Sequence, residues 1–329
     1  MNGIIVVKKE KGFTSHDVIA KLRGVLHQKK MGHTGTLDPE AEGVLPVCIG
    51  FSTKVCDYLM VQKKEYLATG KLGMETDTQD IYGTVLRTCE SHITKEQFTD
   101  SLQSFVGTIE QLTPMYSARK IDGVKLIDLA RQGKTVERST KTVTVYEAEL
   151  IRFDEANQEY EIRIVCQKGT YIRTICNDIG QMLGCGSCMT SLIRTATGRF
   201  TIAESHTIEE IRAYAESGRI DDILIPIDAM YFGCRPMTLD GAYRSYLANG
   251  NYLESDWMTP CDEPLTRHTE SYENLLGTDE QKCVRIYLDG EFWAIYKKKR
   301  SHWIPLQMYH EVDNDKIYQE KMRLQKEQP

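Results

Sequence analysis

The sequence has no long hydrophobic run of the kind that marks secreted or membrane proteins. The apolar run Gly3 to Val7 is followed directly by Lys8 and Lys9, whereas a secretory signal needs roughly 7–15 apolar residues behind a basic start. No stretch approaches the roughly 20 apolar residues that cross a bilayer. We therefore expect a cytoplasmic protein that does not interact with membranes.

Sequence motifs for cofactors and metals are also missing. The one Gly-Lys-Thr, at 133–135, has Asp128 where a phosphate-binding loop starts with glycine. No dinucleotide fingerprint, Gly-x-Ser-x-Gly elbow or His-x-x-x-His zinc pair occurs. Among the ten cysteines, Cys185 and Cys188 form one close pair without the second pair that a zinc ribbon needs. We therefore expect no metal and no cofactor.

The charges are distributed unevenly around a formal net charge of −6. Basic residues outnumber acidic ones in residues 1–64 and 281–329, whereas acidic residues dominate 201–280. A polyanion would prefer the two ends and avoid the middle. Solvated faces without any partner would give the same pattern, so charge alone leaves both readings open.

The order of predicted elements favours an α+β fold. Strand patterns at 4–7, 44–49, 64–72, 143–153 and 160–167 alternate irregularly with helical patterns. Ser15 can cap a first helix, Tyr171 to Leu183 has helical spacing, and capping boxes at Thr94 and Thr207 open two more helices, the first running to Phe105.

The 329 residues suffice for one large domain and a small one. The stretch 243–280 is polar and turn-rich, and Asp289-Gly290 between two apolar runs predicts a hairpin. We therefore predict domains at 1–230 and 231–329, the second one β-rich.

The segment from Gly32 to Gly43 is a glycine-bearing loop between two predicted strands. Pro39 pushes Asp38 toward an extended conformation, so the loop presents one carboxylate. Such a loop is more often a solvent-facing turn than an active site.

A resemblance to a known family gives this loop a specific meaning. Residues 32–46, Gly-His-Thr-Gly-Thr-Leu-Asp-Pro-x-Ala-x-Gly-Val-Leu-Pro, resemble the catalytic motif of the TruB family of tRNA pseudouridine-55 synthases. Four further segments match in the family's order: 9–15 (Lys-x-x-Gly-Phe-Thr-Ser), 64–73 (Lys-x-Tyr and a final Gly), 114–118 (Pro-x-Tyr-Ser-Ala) and 168–174 (Lys-Gly-Thr-Tyr-Ile-Arg-Thr). Glu10, Ile127 and Ile193 depart from the family pattern. The motifs cover about the first two-thirds of the chain.

The resemblance implies a pseudouridine-synthase fold, with a central mixed, mostly antiparallel sheet, flanking helices and a small C-terminal β-barrel-like domain of the PUA type. It implies that uridine 55 in the T-loop of tRNA is flipped out and isomerised to pseudouridine without a cofactor. The implied partner is the T-arm of tRNA, with no protein partner required, and we expect a monomer. The basic run 297–300 would then contact RNA.

The resemblance also assigns roles to individual residues. Asp38 would be the nucleophile, Arg173 the cation that pairs with it through two contacts, and Tyr66 a stacking residue that also takes a proton. Substrate contacts would come from His33, Tyr171 and Leu192. Lys9 and Lys64 would contact phosphates, which position RNA without specifying a base.

Two other functions fit parts of the same pattern. An RNA-binding folding helper would grip the T-arm without chemistry, but it has no need for Asp38 in an RNA-facing loop. A nucleoside or glycoside hydrolase would need a second carboxylate near the first. Glu40 and Glu42 are the nearby candidates, and release of free uracil from RNA would favour that alternative.

Overall fold

The computed structural model describes residues 1–117, 119–121, 123–134, 136–262 and 282–310. Its strands are β1 (Gly3–Lys9), β2 (Met31–His33), β3 (Glu42–Ile49), β4 (Lys64–Leu72), β5 (Met74–Thr76), β6 (Val85–Thr88), β7 (Gly107–Leu112), β8 (Lys120–Ile121), β9 (Val124–Lys125), β10 (Thr140–Asp154), β11 (Glu159–Cys166), β12 (Ser187–Thr197), β13 (Phe200–Thr201), β14 (Arg235–Leu239), β15 (Met258–Pro260), β16 (Cys283–Leu288), β17 (Glu291–Lys299) and β18 (His302–Met308).

The α-helices are α1 (Ser15–Leu26), α2 (Cys56–Met60), α3 (Lys95–Gln103), α4 (Leu126–Arg131), α5 (Ile172–Met182), α6 (Ile208–Glu216) and α7 (Arg244–Ala248). Short 3-10 turns span Gly50–Val55, Ile202–Glu204, Ile220–Asp222, Ile227–Tyr231, Gly241–Tyr243 and Ser255–Trp257. No helix in this described part of the chain is long and apolar enough to cross a membrane.

The larger sheet has the strand order β1-β3-β12-β4-β11-β10-β7, with β2 paired to β3 and β13 paired to β12. The contact of β12 with β3 is parallel, and the other pairs along this path are antiparallel. The predicted mixed, mostly antiparallel sheet with flanking helices is therefore confirmed. The segment that carries Asp38 connects β2 to β3, next to the parallel pair.

Helices cover the sheet because its alternating residues supply apolar faces. Ile162 and Ile164 of β11 pack with Phe98 of α3 and Ile175 of α5 in one cluster. At the other end of the sheet, residues of β1 and β3 pack against α1 and α6 in a second cluster. Both elements that flank the Asp38 loop are therefore held by buried contacts.

The predicted helix starts need one correction. The first helix is capped by Thr14, which accepts a hydrogen bond from the Asp17 backbone, and not by Ser15. The capping boxes of Thr94 and Thr207 are confirmed. The helix after Thr94 ends at Gln103 rather than Phe105.

A second, five-stranded sheet has the order β15-β14-β16-β17-β18. The Asp289-Gly290 hairpin between β16 and β17 is confirmed, and both residues have the positive φ that such a turn needs, 52° and 79°. In the described residues this sheet is an open path rather than a closed barrel, so the PUA type stays a prediction. Residues 263–280 of the predicted turn-rich stretch lie outside the described residues.

Candidate active site

Asp38 lies on a loop that neighbouring elements hold by backbone contacts. The Leu37 amide donates to the Ser15 hydroxyl oxygen at 2.9 Å, and the Gly12 amide donates to the Pro39 carbonyl at 3.0 Å. Ser15 therefore fixes the residue next to Asp38, which is a different role from the helix cap expected of it. These two hydrogen bonds restrict the movement of the loop and so help to position the Asp38 carboxylate.

Lys9 is buried beneath this loop. Its ammonium group donates to the carbonyls of Pro39 at 3.0 Å and Ala41 at 2.5 Å, and burial lowers the pKa of Lys9 to about 8. The three donors of this ammonium point into the protein, and the predicted contact of Lys9 with RNA phosphates stays a prediction. Lys9 ties the two ends of the Asp38 turn together.

Lys64 is held by main-chain carbonyls in the same way. Its side chain is buried at the start of β4, and its ammonium donates to the carbonyls of Met60 at 2.6 Å and Gln62 at 2.7 Å. Burial, followed by the charge of the nearby Arg194, lowers the pKa of Lys64 to about 7. An amine in this position stabilises the connection from α2 to β4, and the predicted phosphate contact of Lys64 stays a prediction.

Arg194 of β12 supports the loop from within the core. It is fully buried, and its guanidinium donates to the carbonyls of Val44 at 2.7 Å and Gly35 at 3.1 Å. Gly43 has a φ of +107°, and a Cβ there would lie 2.2 Å from the carbonyl oxygen of Arg194. Glycine is therefore required for β3 and β12 to approach this closely.

Arg173 of α5 contacts Asp38 directly. Its Nε lies 3.0 Å from a carboxylate oxygen of Asp38, and the arginine side chain is buried whereas the Asp38 side chain is 46% exposed. The other nitrogens donate to the carbonyls of Thr78 at 3.0 Å and Tyr116 at 2.9 Å. Asp80 lies 3.5 Å from Nη1. Arg173 therefore makes one contact to Asp38 instead of the expected two. Its other guanidinium nitrogens are held by the two carbonyls and by Asp80.

Asp80 and Arg194 are functional candidates that the sequence analysis did not identify. Asp80 follows the Thr76-Asp-Thr stretch, whose residues have no helix or strand pattern, and Arg194 follows Ile193, which departs from the family pattern. A buried arginine and a carboxylate on a short turn both look like surface residues in the sequence. Their roles depend on contacts between β12, α5 and the loop after β5, which no local pattern reveals.

Tyr66 lies on β4 and packs against the apolar cluster beneath the site. Burial raises the pKa of Tyr66, and the neighbouring Arg194 guanidinium opposes that change. Arg194 of β12 lies opposite Tyr66 in the sheet register. The structure therefore pairs Asp38 with Arg173 and Tyr66 with Arg194, and the predicted role of Tyr66 stays a prediction.

An open cleft of about 260 Å³ lies above Asp38. Its walls come from the loop of Asp38, the turn after β5 and the middle of β12, and they include Asp38, Glu40, Ala41, Asp80, Tyr82, Met189, Thr190, Ser191 and Leu192. Leu192 thus lines the same cleft as Asp38, and its predicted contact with the substrate stays a prediction. The cleft offers carboxylates on one side and apolar and hydroxyl groups on the other.

His33 and Tyr171 do not line the cleft that contains Asp38. The Nδ1 atom of His33 accepts a hydrogen bond from the Gly35 amide at 3.3 Å, and burial lowers the pKa of His33. The backbone of Tyr171 is bound at both its amide and its carbonyl by the side chain of Gln111. Their predicted contacts with substrate stay predictions.

The described residues contain no group of three or more His, Cys, Asp or Glu side chains placed to hold a metal. Cys185 and Cys188 are both buried free thiols. Cys185 belongs to the apolar cluster that contains Ile162 and Ile175, and Cys188 lies on β12 opposite Lys71 of β4.

Solved structures with a similar fold share little sequence with this chain. Two of them are titled "Structure of H/ACA RNP bound to a substrate RNA containing 2'-deoxyuridine" and "Crystal Structure of a Cbf5-Nop10-Gar1 Complex". Each has a TM-score of 0.63 and covers 94% of this chain and 86% of the matched chain, at 21% and 22% identity. This similarity supports a common fold.

Sequence relatives are much closer. A protein of Alkaliphilus oremlandii named tRNA pseudouridine synthase B is 44% identical over 293 residues, 89% of this chain and 91% of the relative. One of the same name from Lachnoclostridium phytofermentans is 41% identical over 319 residues, 94% of this chain and all of the relative.

Two family models match consecutive parts of the chain. Residues 23–172 match the TruB family pseudouridylate synthase N-terminal domain. Residues 173–231 match the tRNA pseudouridylate synthase B C-terminal domain. Together with relatives above 40% identity along nearly the whole length, these matches show that the chain belongs to the TruB family of pseudouridylate synthases.

Proposed function

We propose that this enzyme isomerises a uridine of tRNA to pseudouridine, that its target is uridine 55 in the T-loop, and that Asp38 is its nucleophile. The observation that carries the proposal is the Asp38–Arg173 contact of 3.0 Å at the base of an open cleft, in a chain whose relatives are named tRNA pseudouridine synthase B.

The reaction breaks the bond from the ribose C1′ to the base N1 and forms a bond from C1′ to C5. The hydrogen on C5 is released and N1 gains one, so no group enters or leaves. A carboxylate can support this cleavage as a nucleophile, as it does in glycosidases. Arg173 keeps the Asp38 carboxylate charged and oriented once RNA covers the cleft and excludes water.

The target uridine must leave its stack to reach Asp38, and extruding a base costs a few kcal/mol. Stacking on Tyr66 offsets part of this cost, and Leu192 supplies an apolar wall. Tyr66 then accepts the proton from C5 as a phenolate, after its own hydroxyl proton has passed to solvent, and N1 takes up one proton from solvent in return. Burial opposes this ionisation of Tyr66, and the positive charge of the Arg194 guanidinium beside the phenol favours it.

The remaining RNA contacts are assigned to surfaces around the cleft. His33 and Tyr171 contact nucleotides of the opened loop. The second part of the chain, predicted at 231–329, acts as a small domain of the PUA type, and its basic run Lys297 to Arg300, which is exposed, contacts RNA phosphates. The enzyme acts as a monomer without a protein partner.

The test is to incubate the purified protein with unmodified tRNA and to map pseudouridine by nucleotide position. We expect one product, at position 55. Asp38→Ala should lower the rate by at least ~10⁴-fold, the order seen when a nucleophile is removed. Asp57→Ala, at an exposed site on α2, is the matched control and should have normal activity.

Each other outcome contradicts a specific part of the proposal. Pseudouridine at a different position would refute the target. An Asp38→Ala variant with an undiminished rate would refute the nucleophile. Free uracil in place of pseudouridine would indicate a hydrolase, for which Glu40 in the same cleft is the second carboxylate.

A further inference from the structure

Two side chains meet across the mouth of the cleft above Asp38. Tyr82 lines the cleft and is 52% exposed. The ammonium group of Lys11, from the turn between β1 and α1, lies 5.0 Å from the centre of the Tyr82 ring. Such an exposed ring with a cation over its face has the composition of a site that binds a base and its phosphate.

Each of these two residues is fixed to one half of the Asp38–Arg173 pair. On one side, the Gly12 amide next to Lys11 binds the carbonyl of Pro39, next to Asp38. On the other side, the Tyr82 amide donates to Asp80 at 3.1 Å, and the second oxygen of Asp80 lies 3.5 Å from Arg173. Lys11 and Tyr82, which together form the rim of the cleft, are therefore positioned by the same groups that position Asp38 and Arg173.

The backbone of the Tyr82 turn is also bound to the cleft wall. The Ile81 amide donates to the Met189 carbonyl at 2.8 Å, and the Met189 amide donates to the Gln79 carbonyl at 3.1 Å. The ring of Tyr82 is thus exposed on a rigid support, so little conformational entropy is lost when a ligand stacks on it.

The cleft is open on one side, and this opening determines where the rest of the RNA can lie. Its empty space of about 260 Å³ includes open solvent. A base that enters beside Asp38 stays connected to its strand through this open side, so the neighbouring nucleotides lie on the rim.

The charges of the cleft favour the same position for a phosphate. Asp38, Glu40 and Asp80 line the cleft and repel a phosphodiester placed inside it. Lys11 lies outside this group of carboxylates, and its contact with the Tyr82 hydroxyl raises the pKa of the lysine. A phosphate just outside the cleft therefore meets a protonated amine.

We propose that Lys11 and Tyr82 form a binding subsite for the nucleotide adjacent to the target uridine. The base of that nucleotide stacks on the Tyr82 ring, and Lys11 moves from the ring face to the phosphate that joins the two nucleosides. The proposal rests on the proposed function, because it takes its substrate from it.

The experiment is a double-mutant cycle between the protein and the RNA. Binding is measured by filter retention with a T-arm stem-loop and with two versions that carry an abasic nucleotide on the 5′ or the 3′ side of the target. Tyr82→Ala should weaken binding of the intact RNA about ten-fold, whereas Tyr82→Phe should bind as the wild type does. One of the abasic RNAs should bind the wild type about ten-fold more weakly and lose nothing further with Tyr82→Ala.

Lys11 is tested through the salt dependence of binding. Lys11→Met should lower the number of phosphate contacts derived from the slope of log affinity against log salt by about one, and Lys11→Arg should restore it. Tyr58→Ala, which removes a ring with 48% exposure outside the cleft lining, serves as the control and should bind like the wild type.

Two results would overturn the subsite. One is normal binding by Tyr82→Ala and Lys11→Met. The other is a loss on Tyr82→Ala that is the same for the intact RNA and both abasic RNAs. Formation of pseudouridine by the wild type in parallel reactions tests the proposed function separately, so failure of one is distinguishable from failure of the other.

Discussion

Arg173 divides its donors between Asp38, the proposed nucleophile, and acceptors elsewhere in the protein. One nitrogen contacts Asp38, and the others bind two carbonyls and face Asp80. A lysine has one nitrogen on a flexible stem and cannot satisfy these acceptors together. The position of the charge beside Asp38 therefore depends on the guanidinium group and not only on its sign.

We predict that Arg173→Lys lowers the single-turnover rate by about 100-fold, since a lost charge-assisted contact costs up to ~3 kcal/mol. The Kd for tRNA should stay within about three-fold of the wild-type value, because this buried residue is not exposed to RNA. Rapid-quench kinetics and filter binding on the same samples give both numbers. A rate close to normal would show that Asp38 does not depend on this pairing.

At the same scale, Lys9 and Lys64 show what residue type alone does not predict. A lysine inside a family motif is expected to contact a phosphate, because lysine is rarely buried. Their acceptors are the backbone carbonyls of residues 39, 41, 60 and 62. Because every residue has such a carbonyl, the sequence does not indicate which of them a buried lysine will contact. The position of Asp38, in contrast, followed from glycines and a proline that are visible directly.

At the scale of elements, strands with apolar faces were predictable and the strand that forms the cleft was not. The bounds of β4 match the predicted 64–72, since its apolar positions alternate. In β12, Thr190 and Ser191 face the cleft, so the strand has polar residues where a core strand would have apolar ones. β7 also went unrecognised, because it is a half-exposed edge strand.

Lys64 links two elements, the end of α2 and the start of β4, and makes their stability depend on pH. Its pKa is about 7 in the folded protein and 10.5 when exposed. Between these values the unfolded chain binds more protons, so stability rises with pH, by at most ~1.4 kcal/mol per pH unit for one group. The neutral amine keeps two N–H donors for its two carbonyl acceptors.

We therefore predict that the wild type gains stability relative to Lys64→Met as the pH rises from 7 to 9. Urea unfolding at pH 7, 8 and 9 measures the difference. The exposed Lys95 provides the control, since Lys95→Met should leave the pH dependence of the wild type unchanged. A difference between wild type and Lys64→Met that does not vary with pH would mean that Lys64 is charged in the fold at all these values.

At the scale of the whole molecule, one apolar cluster joins the two sheets. Ile4 and Val44 from the larger sheet pack in the same cluster as Cys283, Ile295 and Tyr309 from the second part of the chain. Lys54 adds a hydrogen bond to the carbonyl of Met308. The change of composition after residue 226 marks where the second sheet begins, but composition could not reveal that the two sheets share a core.

This shared core predicts that the two parts unfold together. The three tryptophans of the chain, at 257, 293 and 303, all lie in the second part, so their fluorescence reports that part alone, whereas far-UV circular dichroism reports both. We expect the two signals to give one urea midpoint. Ile295→Ala, at a fully buried site in the shared cluster, should lower stability by ~2–5 kcal/mol and shift both signals equally.

A substitution in the larger sheet tests the same coupling from the other side. Ile164 is fully buried in the cluster between β11 and α5, which contains no tryptophan. Because the shared core couples the sheets, Ile164→Ala should move the tryptophan transition as far as the circular dichroism transition. A tryptophan midpoint that stays at the wild-type value while circular dichroism shifts would show that the second sheet folds independently, and the shared cluster would then be an ordinary interface between two domains.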